Sequence, residues 1–194
     1  MESMAEEVDS RDLNTYQHSQ RVAEYAGTIA RRLRFSPAEV ELVQMAARVH
    51  DIGKIRIPVA VLLKPDPLTD AERRVIEAHP RLGFEILSQF PVYAKALDLV
   101  LAHHERYDGR GYPDRTVGHR LLLIAQVIPV ADSLDAMTSG RAYRGAKGWD
   151  WAMRELRRGA GTQWNPAVVD AAVSALYPAT REAGREMRPA AALG

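Results

Sequence analysis

The chain contains no cysteine. That excludes disulfides and thiolate metal centres, and it leaves any bound metal to His, Asp and Glu, a hard or borderline donor set. No apolar run reaches the roughly 18 residues of a membrane span, and the acidic start Met1-Glu2-Ser3-Met4-Ala5-Glu6-Glu7 lacks the basic residues of a signal peptide. A cytoplasmic location is the default expectation. Neither sign of charge is in excess: 26 Lys and Arg against 25 Asp and Glu leave a formal +1, which gives no footing for a nucleic-acid polymer or an anionic membrane. No internal repeat and no shift of composition divides the 194 residues, so one domain with a sizeable core is expected. It should occupy residues 13–178, between a flexible polar leader over 1–12 and a loose tail rich in Ala, Arg and Pro over 179–194.

What is present is a set of histidines on apolar, helix-periodic segments. Of six in the chain, only His119 sits away from such a pattern. From Asn14 to Arg34 the residues His18, Val22, Tyr25, Ile29 and Leu33 recur at steps of three or four, so one face turns inward with His18 at its head. There His18 is either a polar core residue or part of a site. Ser36-Pro37-Ala38-Glu39 joins a Ser cap, a first-turn Pro and a Glu three residues after the cap. The helix it opens carries Val40, Val43, Ala46, Ala47 and Val49 inward and delivers His50 and Asp51 near its end, with Gly53 as its stop. A neutral nitrogen donor then lies beside an anionic oxygen donor. Alone that dipeptide is a weak signal, since a helix-face His is usually a satisfied core residue and an Asp at a helix end is often a cap.

Pro58, Pro65 and Pro67 make 55–67 an extended or turn-rich connector. Thr69-Asp70-Ala71-Glu72 repeats the capping box and opens a short helix to His79-Pro80, where the proline forces a bend at His79. A further helix runs through Leu82, Ile86 and Leu87. The next, from Val92, carries Leu97, Val100, Leu101 and His104 on one face, with His103 about 100° away; such a pair can reach one ion each or grip different sides of two. Residues 106–118 hold Asp108-Gly109-Arg110-Gly111-Tyr112-Pro113, either a flexible connector or a loop whose glycines let backbone approach a ligand closely. The apolar stretch from His119 to Thr138 contains Asp132 and Asp135; a carboxylate at that depth needs a partner, and a metal ion is the natural one. Arg141 and Arg144, at i and i+3, are spaced to share one anion if the segment is helical or turned. Helices near 149–158 and 166–176 look structural, the second capped by Asn165-Pro166.

The run His50-Asp51-Ile52-Gly53-Lys54-Ile55-Arg56-Ile57-Pro58, with His79-Pro80, His103-His104-Glu105, Asp108-Gly109, Gly111-Tyr112-Pro113, Ala131-Asp132-Ser133-Leu134-Asp135-Ala136 and Arg141-Ala142-Tyr143-Arg144, resembles an HD-GYP domain of the HD phosphohydrolase superfamily. The resemblance covers 14–175 and implies an all-α fold, a compact helical bundle with a central metal site. The activity it implies is metal-dependent hydrolysis of cyclic di-GMP, mainly to the linear dinucleotide pGpG. Carried over by position, His50, Asp51, His79, His103, His104 and Asp132 are metal ligands and His18 a further one, with Asp51 bridging two divalent ions. Iron or manganese suits the donor set first, with zinc, nickel or cobalt next. Asp51 and Lys54 are the implied catalytic residues; Lys54, Gly111, Tyr112, Pro113, Asp135, Arg141 and Arg144 are the implied substrate contacts. The Gly111-Tyr112-Pro113 loop is also the expected place for a protein partner. Three positions depart from the family pattern: Asn14 stands where a Glu helps hold a third ion, Gly140 where an Asp is common, and His119 where a Glu is frequent. Two tightly held ions rather than three are therefore expected. The alternatives are hydrolysis of another cyclic dinucleotide or a nucleotide, and a non-catalytic partner-binding module.

Overall fold

A computed structural model of the chain describes residues 15–139 and 148–186. The leader over 1–12, Asn14, Gly140, Arg141 and Arg144 lie outside the described residues. Nine α-helices are found among the described residues: α1 Thr15–Arg32, α2 Pro37–Val49, α3 Val59–Leu62, α4 Asp70–Glu77, α5 His79–Leu87, α6 Leu97–Leu101, α7 Val127–Thr138, α8 Trp149–Gly159 and α9 Pro166–Glu186. No strand occurs among them, only one isolated bridge between Ala160 and Trp164. The fold is all-α, as expected.

The bundle is built around α7. Val127, Ile128, Val130, Ala131 and Leu134 are all fully buried on one broad face, and the remaining positions, such as Pro129 and Ser133, are half-buried. Helices α1, α8 and α9 cover it. Pro129 is tolerated inside it because it occupies the first turn, where backbone N–H groups have no intrahelical acceptor. On α1 the residues Val22, Ala26, Ile29 and Ala30 are buried at helical spacing; α1 packs along α2, and also meets α7 and α9. Gly27 lets α1 and α2 approach, since a Cβ there would lie 2.5 Å from the Gln44 side chain.

Both capping boxes form. Ser36 and Thr69 accept from the backbone N–H of Glu39 and Glu72, whose carboxylates accept in return from the Ser36 and Thr69 N–H groups. Four boundaries differ from expectation. Helix α2 ends at Val49 and the chain passes into a 3₁₀ turn over Ile52–Arg56. Gly53 is not a left-handed stop; its φ is not positive, and its missing Cβ is what matters, because one would lie 2.0 Å from the His79 carbonyl oxygen. The connector over 55–67 contains α3 directly after Pro58. Helix α6 is short, so His103 and His104 lie in the turn that follows it rather than on a helix. Helix α9 continues past Leu176 to Glu186.

Candidate metal centre

Five segments deliver the ligand-type side chains to one place. α1 brings His18, the end of α2 brings His50 and Asp51, the start of α5 brings His79, the turn after α6 brings His103 and His104, and α7 brings Asp132. Two overlapping groups of donor atoms result, each with its atoms within 4.8 Å of one another: Asp51, His79, His103 and His104 in one, His18, His50 and Asp51 in the other. Asp51 belongs to both. Asp132 joins through His18, with its Oδ1 3.3 Å from His18 Nε2. His119 is exposed and takes no part.

The backbone fixes which ring nitrogen faces the centre. His50 Nδ1 lies 2.6 Å from the Ala47 carbonyl oxygen, His79 Nδ1 2.7 Å from that of Ile76, and His103 Nδ1 2.6 Å from that of Val100. In each case the acceptor is three residues back at the end of a helical turn. A carbonyl can only accept, so Nδ1 carries the proton and Nε2 is the nitrogen turned to the centre, where the neutral form of the ring offers a lone pair. This is the usual way a protein orients a metal-binding imidazole.

Those lone pairs converge on one another. His79 Nε2 and His103 Nε2 are 3.0 Å apart, and Asp51 Oδ1 lies 3.2 Å from the first and 3.8 Å from the second. Asp51 Oδ1 is buried with no hydrogen-bond partner. Three acceptors facing each other without a donor repel unless a cation stands among them. The residues therefore fit a divalent metal, and the all-His/Asp donor set fits a hard or borderline ion.

The titration of the groups follows from the same arrangement. Burial, reinforced by His104, His50 and His79, pushes His103 well below the ordinary imidazole range, and burial with His79 lowers His104 to about 4. Both rings stay neutral, as ligands must. Burial opposes the charge on Asp51, but the Lys54 ammonium beside it outweighs burial and holds the carboxyl well below its usual range. His18 differs. Burial disfavours its charge, yet hydrogen bonds to Asp132 and Asp135 raise it to about 9. The same contacts hold Asp132 and Asp135 low against the effect of burial.

Around this core sit Lys54, Gly111, Tyr112 and Pro113 of the expected residues. Lys54 Nζ is 2.6 Å from Asp51 Oδ2, and the Lys54 side chain is still partly open to solvent. Gly111 lies against 104–106 so closely that a Cβ would be 2.4 Å from the Arg106 nitrogen. That contact lets Tyr112 N–H donate to the His104 carbonyl (3.2 Å) and its ring stack on His104, centroids 4.7 Å apart. Burial and the charges of Asp51, Glu77 and Asp132 push the Tyr112 phenol up, so it remains neutral. Pro113 follows it across a cis peptide bond. Asp135 sits beside His18, with its carboxylate oxygens engaged by His18, Arg21 and Ser139.

Two residues had no role assigned from sequence. Glu105, 5% exposed, accepts the backbone N–H groups of Asp114 (2.7 Å) and Thr116 (3.0 Å), and so ties the Gly111-Tyr112-Pro113 loop to the histidine turn. Arg21 pairs with Asp135 across 114 residues. Its position three after His18 on one helix face was the available signal.

A family model described as an HD domain matches residues 2–168. The cyclic di-GMP phosphodiesterase response regulator RpfG of Xanthomonas campestris is 43% identical over 171 residues, which cover 87% of this chain and 45% of that protein. The 3'3'-cGAMP-specific phosphodiesterase 3 of Vibrio cholerae is 36% identical over 169 residues, 87% of this chain and 37% of that protein. The chain thus spans less than half the length of these relatives. Among solved structures, an HDG"Y"P protein from Bdellovibrio bacteriovorus matches with a TM-score of 0.67 at 17% identity, over 84% of this chain and 52% of that one; that likeness is one of fold.

Proposed function

The chain belongs to the HD-domain family, in its HD-GYP type, and on that premise we propose that it is a metal-dependent phosphodiesterase that hydrolyses cyclic di-GMP, mainly to the linear dinucleotide pGpG. The observation that carries this reading is the shared carboxylate: Asp51 is common to two groups of donor atoms, one with His79, His103 and His104 and one with His18 and His50. When bound there, two divalent ions would neutralise the phosphodiester and lower the pKa of the attacking water.

The chain's own residues do the rest. Asp51 holds the two halves of the site at a common oxygen pair, and His50, His79 and His103, fixed through Nδ1, keep their lone pairs aimed inward. Lys54 supplies a positive charge beside Asp51 at the half-open rim, where a non-bridging phosphate oxygen can accept from it as charge shifts in the transition state. Tyr112, neutral and stacked on His104, closes one side of the site and gives an aromatic face to a nucleotide. Arg141 and Arg144 are the proposed remaining phosphate contacts. Iron or manganese is the proposed metal, and the cytoplasm the proposed location; no helix among the described residues is long and apolar enough to cross a membrane. With Asn14 in place of a carboxylate four residues before His18 in the sequence, two ions are proposed rather than three, and turnover stops mainly at the linear product.

Another cyclic dinucleotide is the second reading, favoured by the relative named for 3'3'-cGAMP. A partner protein docking at Gly111-Tyr112-Pro113 is compatible with either substrate. Purification without oxygen, metal analysis, and turnover of cyclic di-GMP, 3'3'-cGAMP and mononucleotides with each metal restored tests the proposal. Cyclic di-GMP should be the best substrate and pGpG the product. Faster turnover of 3'3'-cGAMP moves the assignment to the second reading, and no turnover of any of them with two ions bound refutes hydrolysis.

A further inference from the structure

His50, His79 and His103 are oriented by main-chain carbonyls. His18 is oriented by side chains. Its Nδ1 lies 2.7 Å from Asp135 Oδ2, and its Nε2 points toward Asp132 Oδ1 at 3.3 Å. Asp135 is 1% exposed, and so deep a carboxylate cannot stand without compensation. Arg21, one turn along α1 from His18, provides it with a two-pronged contact: Nε to Oδ1 at 2.6 Å and Nη2 to Oδ2 at 3.1 Å. Ser139 Oγ adds a bond to Oδ1 at 2.9 Å. The i, i+3 pair His18 and Arg21 on α1 thus interlocks with the i, i+3 pair Asp132 and Asp135 on α7. Every oxygen of Asp135 is directed to holding other protein groups, and a guanidinium fork fixes both oxygens in a way a single point charge cannot.

We propose that Arg21 is a positioning residue which, through Asp135, sets the His18 ring so that its Nε2 completes the His18–His50–Asp51 half of the metal centre. Asp135 is then the outer partner of a ligand rather than a substrate contact. The inference rests on the two-ion reading of the site. Its consequence is selective: the Asp51–His79–His103–His104 half has no contact with Arg21 or Asp135 in its orienting bonds and keeps its ion when they are changed. Outer partners of metal-ligating histidines typically contribute about 10- to 100-fold in affinity.

The test compares wild type with Arg21→Ala, Arg21→Lys and Asp135→Asn, each titrated with Mn²⁺ under anaerobic conditions to an excess over two equivalents. Metal per chain, the two Mn²⁺ dissociation constants and the EPR spectrum are measured alongside thermal unfolding. Wild type should hold two ions with the spectrum of a spin-coupled pair. Arg21→Ala and Asp135→Asn should hold one, with the six-line signal of an isolated Mn²⁺ and the weaker constant raised about 10- to 100-fold. Arg21→Lys should recover part of the second site, because it restores charge but only one prong. If Arg21→Ala fails to fold, the comparison of Arg21→Lys with Asp135→Asn carries the same expectation. Two ions at wild-type affinity in these variants would overturn the inference, as would loss of both ions in parallel, which marks a merely structural role. A wild type that binds no Mn²⁺ pair would instead refute the two-ion reading itself.

Discussion

Asp51 keeps its charge in a place that burial makes unfavourable, because the Lys54 ammonium lies 2.6 Å from its Oδ2. Replacing it removes the one carboxylate common to both groups of ligands. Asp51→Ala should therefore abolish hydrolysis and release both ions. Lys54→Ala should keep the metals and slow turnover by roughly 10²- to 10³-fold, as for one lost oxyanion donor; wild-type turnover by either variant removes that residue from the mechanism. The titrating histidines make a separate prediction for metal-free protein. His18, raised to about 9, contributes stability that is complete below the free imidazole value of about 6.5 and is lost as pH rises through about 9. His104, lowered to about 4, acts oppositely: the unfolded chain takes up its proton first, so stability falls as pH drops from about 6.5 through about 4. Thermal melts of chelated protein should peak near neutral pH, and His18→Gln should flatten the alkaline side. A melting temperature that stays level from pH 6.5 to 9 in the wild-type chain would contradict the His18 assignment.

At the scale of helices and turns, the site depends on how closely the 3₁₀ turn after α2 approaches α5. A Cβ on Gly53 would lie 2.0 Å from the His79 carbonyl oxygen and 2.6 Å from the Gly83 nitrogen, both main-chain atoms that cannot rotate aside. Gly53→Ala should push α5 outward, costing about 1–3 kcal/mol as overpacking, and draw His79 Nε2 away from Asp51 Oδ1. Weaker metal binding together with a lower melting temperature is expected, whereas Gly148→Ala, with nothing within 4 Å of the added Cβ, should change neither. An unperturbed Gly53→Ala protein would show that the contact yields cheaply. The same glycine marks the limit of what was legible in the sequence. Helix starts could be read because a capping box is spelled by four adjacent residues, as at Ser36 and Thr69. Helix ends could not: Gly53 has the identity of a local stop but serves a tertiary approach, and the short α6 leaves His103 and His104 in a turn. The ligand-type side chains that the structure brings together were legible through the family resemblance, whose motifs are spelled by adjacent residues. Arg21 and Glu105 escaped because they act through contacts that only the folded chain brings together, over 114 residues for the Arg21–Asp135 pair.

For the molecule as a whole, the proposed metal centre would join segments that otherwise meet only by packing. The apolar core of Val22, Ile29, Val43, Ile128, Leu134 and Leu156 does not include the ligands and is continuous through α1, α2, α7 and α8. Helical structure should therefore survive metal removal. The ligands themselves do not favour that state: Asp51 Oδ1 has no donor, and the His79 and His103 lone pairs face each other at 3.0 Å. An ion that binds only the folded chain stabilises it by mass action, by about 4 kcal/mol for one site at a free concentration of 1,000 times its dissociation constant. In a chain of this size each kcal/mol moves the melting temperature by about 2–4 °C. Chelation should thus lower it by roughly 8–16 °C for one such ion, with the far-UV circular dichroism of the chelated protein at 20 °C unchanged. Asp51→Ala should melt at one temperature with or without metal, since the shared ligand is gone. A melting temperature indifferent to chelation in the wild-type chain would mean that the convergent lone pairs are satisfied by some means other than a bound ion.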